Sequence, residues 1–146
     1  MALELDTVFL DTNVVLDHLA DRLPFSESAH RIFALAEGQK LKLHVSALSF
    51  CNLYYILRKV RGHDQAVVLL AKLALLVEIA LVGDREIRAA LASGWRDFED
   101  SVQYESAGGA ADIAVLVTRN SRDFSGRHLR VQSPEEYILS RQVRGI

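Results

Sequence analysis

The stretch VFLDTNVVLDHL, residues 8–19, decides how the rest of the chain is read. Val8, Phe9 and Leu10 form an apolar run without polar alternation, the mark of a strand covered on both faces. Asp11 stands at its carboxyl tip, and a helix begins near Asn13. Similar strand runs recur at Val8–Asp11, Leu43–Ser46, Val77–Val82, Ile113–Thr118 and Leu129–Val131, with helical patterns between them. Strands alternating with helices imply right-handed crossovers and a parallel sheet. The expected fold is therefore α/β, a three-layer sandwich in which helices flank a parallel sheet of four to five strands.

Local signals place the helices. Ser26 can cap a helix carrying Ala29, Ile32, Phe33 and Ala36 on one face. Asn52–Arg61 lies in a second, with Leu53, Ile56, Leu57 and Val60 at helical spacing. Asp64 and Asp84 are expected to cap two more, with Gly62 and Gly83 as breaks. Asp97 caps a helix with Asp100 one turn inside, and SPEEY opens the last helix as a Ser133–Glu136 capping box with Pro134 at its first position. The apolar run Ala66–Val82 contains Lys72 and Glu78 and is short for a bilayer core. Broken near Leu76, it reads as a buried helix followed by a buried strand.

Composition bounds the function. With 146 residues, half of them apolar, the chain fits one domain over residues 1–146 with one sizeable core. A net charge of −2 excludes a global pull toward a polyanion, so any nucleic-acid surface is a local patch. The lone Cys51 excludes an intrachain disulfide framework and suits a reducing cytoplasm. The start, MALELDTVFL, is acidic where a signal peptide needs positive charge. A cytoplasmic protein with no membrane segment is expected.

Sites on open parallel sheets form beyond the carboxyl ends of the strands, where strand order reverses. Asp11, Ser46 and the loop at 118–124 occupy such ends. Read alone, Asp11 is as well explained by helix capping as by chemistry. Asp97, Glu99 and Asp100 are either ordinary first-turn acids or a repulsive cluster that a divalent cation would relieve. In TRNSRDF, residues 118–124, Thr118, Asn120 and Asp123 either build a turn or offer oxygens to a hydrated Mg²⁺. Positive charge gathers at Arg58, Lys59, Arg61 and His63, and again at Arg119, Arg122, Arg127, His128 and Arg130. The second cluster flanks the acids, and Arg119 and Arg122 are its candidate phosphate contacts. None of the five histidines is required by this chemistry; they read as structural or surface groups.

Four stretches in register, VFLDTNVVLDHL, SALSFCNLYYILRK, DFEDSVQYESA and VTRNSRDF, resemble the PIN-domain family, over nearly the whole chain from about Thr7 to the SPEEY helix. The chain is most similar to the short bacterial members that include VapC-type toxins. The resemblance implies an acidic pocket, Mg²⁺ or Mn²⁺, endoribonuclease activity, an antitoxin partner and a homodimer, for which the YYILRK helix offers a surface. It places metal ligands at Asp11, Asp100 and Asp123, with Thr12 and Asn13 as neighbours of the first acid and Asn120 lining the pocket. Glu99 or Asp97 would orient the attacking water, and Thr12, Thr118 and Asn120 would hydrogen-bond the ligands or phosphate. Asn52 departs from the pattern, because many members carry Glu there; Glu99 or Asp97 would supply the missing charge. An aspartate-nucleophile phosphatase is disfavoured, since Asn13 stands where its second Asp is needed. The non-enzymatic rival is a PIN-like RNA- or protein-binding module that has lost full metal chemistry.

Overall fold

A computed structural model describes residues 5–110, 112–124 and 128–146. Arg127, one of the expected basic residues, lies outside them. Five strands, β1 (Asp6–Leu10), β2 (Leu41–Ser46), β3 (Val77–Ala80), β4 (Val115–Val117) and β5 (Arg130–Gln132), form one sheet in the order β3-β2-β1-β4-β5. All four pairings are parallel. The chain runs outward from β1 through β2 to β3, then returns to the other side of β1 for β4 and β5. Strand order therefore reverses between β1 and β4, where the tips of adjacent strands open a crevice.

Seven helices flank the sheet among the described residues: α1 (Thr12–Leu19), α2 (Ser26–Glu37), α3 (Ala47–Arg61), α4 (His63–Leu76), α5 (Asp84–Ala92), α6 (Phe98–Gly109) and α7 (Pro134–Arg144). The pleat of β1 sends Val8 and Leu10 to one face and Phe9 to the other. Val8, Leu10, Val115 and Val117 pack with Val14 and Val15 of α1, Ile32 and Phe33 of α2, Leu53 and Leu57 of α3, and Tyr137 of α7. Phe9 and Leu116 pack on the opposite face with Ala107 of α6, Phe124 and Trp95. Burial on both sides explains why these strands carry no polar alternation, and the three-layer α/β sandwich is as expected.

Several local expectations are corrected. Ser26 does not cap α2: Phe25 occupies that position without a side-chain bond, and Ser26 is buried in the first turn. Its N–H is already taken by the Arg22 carbonyl at 2.8 Å, because a preceding turn feeds directly into the helix. Gly62 and Gly83 stand at the N-caps of α4 and α5, which puts Asp64 and Asp84 in the first turns. There they favour the positive helix end without capping it. α3 starts at Ala47, five residues before Asn52, capped by the Ser46 hydroxyl, which accepts from Ser49 N–H at 3.1 Å.

The Ala66–Val82 run does break after Leu76, and β3 is buried at Val77 and Ala80, but the burial of the helix is overturned. Only Ala66 and Leu73 of α4 are buried, and Leu75 is 90 % exposed. The cause is position: β3 is an edge strand and α4 an outer helix, so Val67, Val68, Ile79 and Leu81 face outward. No helix of the described residues is long and apolar enough to cross a membrane.

Candidate active site

Asp11 caps α1 and also ties two strand tips together at the crevice. It follows the last residue of β1, and its backbone N–H continues the sheet by donating to Val117 O at 3.0 Å. Its side chain caps α1, with Oδ1 accepting from Thr12 N–H at 2.8 Å. Oδ2 accepts from the Thr118 hydroxyl at 2.7 Å, bridging the tips of β1 and β4 at the crevice. Asp11 is 5 % exposed and Thr118 fully buried. Burial pushes the Asp11 carboxyl above its ordinary pKa, while the two hydrogen bonds oppose the shift.

The other acids approach from α6 and from the loop after β4. Asp97 caps α6, its Oδ1 accepting from Asp100 N–H at 3.0 Å, so the first turn presents Asp97, Glu99 and Asp100 together. Asn120 N–H donates to Thr118 Oγ1 at 3.1 Å. Asp123 N–H then closes a single 3-10 turn, Ser121–Asp123, on Asn120 O at 2.9 Å. Asp97, Asp100, Arg122 and Asp123 line one open cleft of about 720 Å³.

Electrostatics register the convergence. The Asp100 carboxyl is pushed up to about 7, first by burial and then by the charges of Asp11, Asp97, Asp123 and Glu99. Glu99 is raised by burial and by Asp11 and Asp97. Among the described residues none of these five acids is in an ion pair with a lysine or arginine. Asn52 reaches the group from α3, its amide donating to Glu99 Oε1. The residue that departs from the PIN pattern thus holds an acid of the cluster.

The donor set is all oxygen, charge-rich and uncompensated, which suits a hard divalent cation. The set is open, however: no three Asp, Glu, His or Cys side chains among the described residues converge tightly enough to hold an ion. The chemistry of the donor set fits a metal.

Arg119 and Arg122 separate in the structure. Arg119 Nε lies 2.9 Å from Asp17 Oδ2, although the pair is not aligned as a hydrogen bond, and its guanidinium covers the Phe25 ring at 4.0 Å. Arg122 is exposed at the cleft. Asn13 ties α1 to this loop by a long contact, its Oδ1 accepting from Arg119 N–H at 3.5 Å.

Sequence reasoning did not find the polar knot behind the acids. Gln103 of α6, fully buried, donates from Nε2 to Ser49 Oγ at 2.7 Å and to Thr12 Oγ1 at 3.0 Å, while Thr12 and Ser49 hydroxyls lie 2.6 Å apart. The knot locks α6 against α1 and α3, one turn from Asp100. The only sequence signal is a long amide next to the apolar Val102 on the helix that Asp97 opens.

The PIN domain family model matches residues 7–122, more than half of the 146 residues, and the chain belongs to the PIN-domain family, a family of nucleases. Sequence comparison with curated proteins finds no match. Among solved structures, DNA-bound VapBC from Salmonella typhimurium is similar at 20% identity and TM-score 0.66, covering 90% of this chain and 99% of that one. VapBC2 from Rickettsia felis, bound to a promoter DNA fragment, gives 18% and 0.64, covering 87% and 98%. VapC20 from Mycobacterium tuberculosis, a Sarcin-Ricin loop cleaving toxin, gives 17% and 0.60, covering 75% and 86%. At these identities the likeness establishes the fold.

Proposed function

We propose that the protein is a divalent-metal-dependent endoribonuclease, the toxin of a toxin–antitoxin pair, acting on single-stranded or looped RNA. The observation that carries this reading is the assembly of Asp11, Asp97, Glu99, Asp100 and Asp123, with no lysine or arginine ion-paired to them among the described residues, at the switch point of a PIN sheet. Asp11, Asp100 and Asp123 would hold Mg²⁺ or Mn²⁺. The bound cation supplies charge neutralisation at the phosphate and lowers the pKa of a water. Glu99 or Asp97 orients that water and accepts its proton. Thr118 fixes the Asp11 carboxylate through its hydroxyl, and Asn120, whose backbone N–H donates to that hydroxyl, would hydrogen-bond the phosphate. Asn52 holds Glu99 beside the other acids, which supports an enzyme over a module that only binds.

The outer face of α3 and α4 exposes Tyr55, Ile56, Val60, Val67 and Val68, the surface we assign to a homodimer. The antitoxin partner is supported by the similarity to VapBC and to a toxin–antitoxin complex from Klebsiella pneumoniae. Cytoplasmic action accords with the free, exposed Cys51.

The test is cleavage of a single-stranded RNA with Mn²⁺ or Mg²⁺ by wild type and by Asp11→Asn. Asn keeps a capping oxygen and can donate to Thr118, so the variant folds and binds RNA but does not cut it. RNA bound equally by both proteins and cut by neither, with either metal, would return the protein to the binding-module reading.

A further inference from the structure

The cleft that holds Asp97, Asp100 and Asp123 has a second wall of different chemistry. Trp95, Arg96 and Arg122 line it, and its volume of about 720 Å³ exceeds what metal ions and their waters occupy. It lies within the ~300–1,000 Å³ range of small-molecule sites. Neither Arg96 nor Arg122 is in an ion pair among the described residues.

Trp95 is held in place from behind. Its ring centroid is 5.1 Å from Tyr104, tilted by 43°, and 5.6 Å from Phe124, edge-on at 90°. The turn that presents it is also fixed. Gly94 has φ +74°, a left-handed conformation with open space around the position of a Cβ. Ser93 Oγ donates to Ala90 O at 2.7 Å and accepts from Trp95 N–H at 3.2 Å, tying the turn to the end of α5. The indole remains half-buried at the cleft wall.

We propose that Trp95 is a nucleobase-stacking subsite beside the acidic centre, with Arg96 and Arg122 contacting the backbone that carries the base. The proposal rests on the ribonuclease reading above and deepens it by naming what the cleft grips. Phosphate recognition alone would need the arginines, and metal binding alone the acids. An indole anchored in the same cleft adds a π surface that any unstacked base can use. Because neighbouring rings pre-orient it, little side-chain freedom is lost when a base stacks. Stacking strength grows with ring area, so a purine next to the cut is preferred over a pyrimidine.

Trp95 is the only tryptophan in the chain, so intrinsic fluorescence reads this subsite directly. Asp11→Asn protein with Mn²⁺ is titrated with a short oligoribonucleotide and with the same backbone made abasic. The base-bearing strand is expected to quench the emission and the abasic strand to leave it nearly unchanged. In the active protein, Trp95→Leu keeps apolar volume but removes the π face; KM is expected to rise about tenfold with kcat retained, and Trp95→Phe to restore most of the loss. Equal quenching by both strands, or unchanged KM in the Leu variant, overturns the subsite. Should the Leu variant fail to fold, the quenching comparison decides alone, since it uses intact Trp95. RNA cut without any quenching removes the subsite and leaves the nuclease; base-dependent quenching without cleavage keeps the subsite and removes the nuclease.

Discussion

The Gln103 amide donates to the Ser49 hydroxyl at 2.7 Å, joining α6 to α3 one helical turn from Asp100. Among the described residues its Oε1 is buried without a partner, so the knot carries a penalty along with its bonds. Gln103→Ala loses the bonds and leaves a cavity, and should cost about 2–4 kcal/mol in urea unfolding. Gln103→Leu fills the space and removes the orphaned oxygen, so it should cost less than the Ala variant. A Leu variant less stable than the Ala variant would show that the hydroxyls of Thr12 and Ser49 require the amide.

How far the sequence disclosed this molecule depends on the range of the interactions. Asp11 was legible because an apolar run ending in an acid states its position at a strand tip. Asp97 and Ser133 were legible as caps because capping acts within three residues. The Gln103–Ser49 bond spans 54 positions, and nothing local in SFCN or SVQY announces it. The exposure of α4 was misread for a similar reason: AVVLLAKLALL describes an apolar helix, but only the sheet order shows that it packs against the β3 edge and not the centre. Trp95 sits in SGWRD, which looks like plain loop until α5, α6 and the 3-10 turn enclose it.

Asn52 gives a prediction with two opposite signs. Its amide donates to Glu99, so Asn52→Glu removes a donor and sets one carboxylate against another. Without metal the variant should melt at a lower temperature than wild type. With Mn²⁺ the added charge should tighten binding about tenfold, and saturating metal should recover the lost stability. Calorimetric titration of both proteins decides it; equal or weaker Mn²⁺ binding by the Glu variant refutes the role assigned to this position.

Arg119 and Arg122 should part company under mutation. Asp17 is 1 % exposed and relies on Arg119 at 2.9 Å, with Arg22 more distant at 3.8 Å. Arg119→Ala leaves that carboxylate nearly alone in the core and should cost about 2–3 kcal/mol, somewhat less than a fully isolated charge because Asp17 can take up a proton. Arg122→Ala touches no such pair. It should leave thermal stability unchanged and lower the salt slope of RNA binding by about one phosphate contact. Unfolding curves and salt titrations on the two variants check the division; a stability loss confined to Arg122→Ala would reverse it.

The last prediction concerns pH and lies outside the acidic centre. His18 stacks on Phe33 with ring centroids 3.9 Å apart and planes within 5°, and its Nδ1 is 2.6 Å from His30 Nδ1. His30 in turn meets Asp21 through Nε2 at 2.8 Å. Burial, reinforced by His30 and opposed by Asp21, pushes His18 down from 6.5 to about 4. Between those values the unfolded chain binds a proton that the folded chain refuses, so this group favours unfolding increasingly as pH falls from about 6.5 to about 4. Its contribution is constant above that window. His18→Leu keeps an apolar partner for Phe33 and removes the titration. The difference in melting temperature between variant and wild type should therefore move in the variant's favour as pH drops from 7 to 4.5 and stay level between 7 and 8. A difference independent of pH across that whole range would mean that His18 takes up its proton as readily in the folded protein as in the unfolded chain, and that its burial against Phe33 does not depress it.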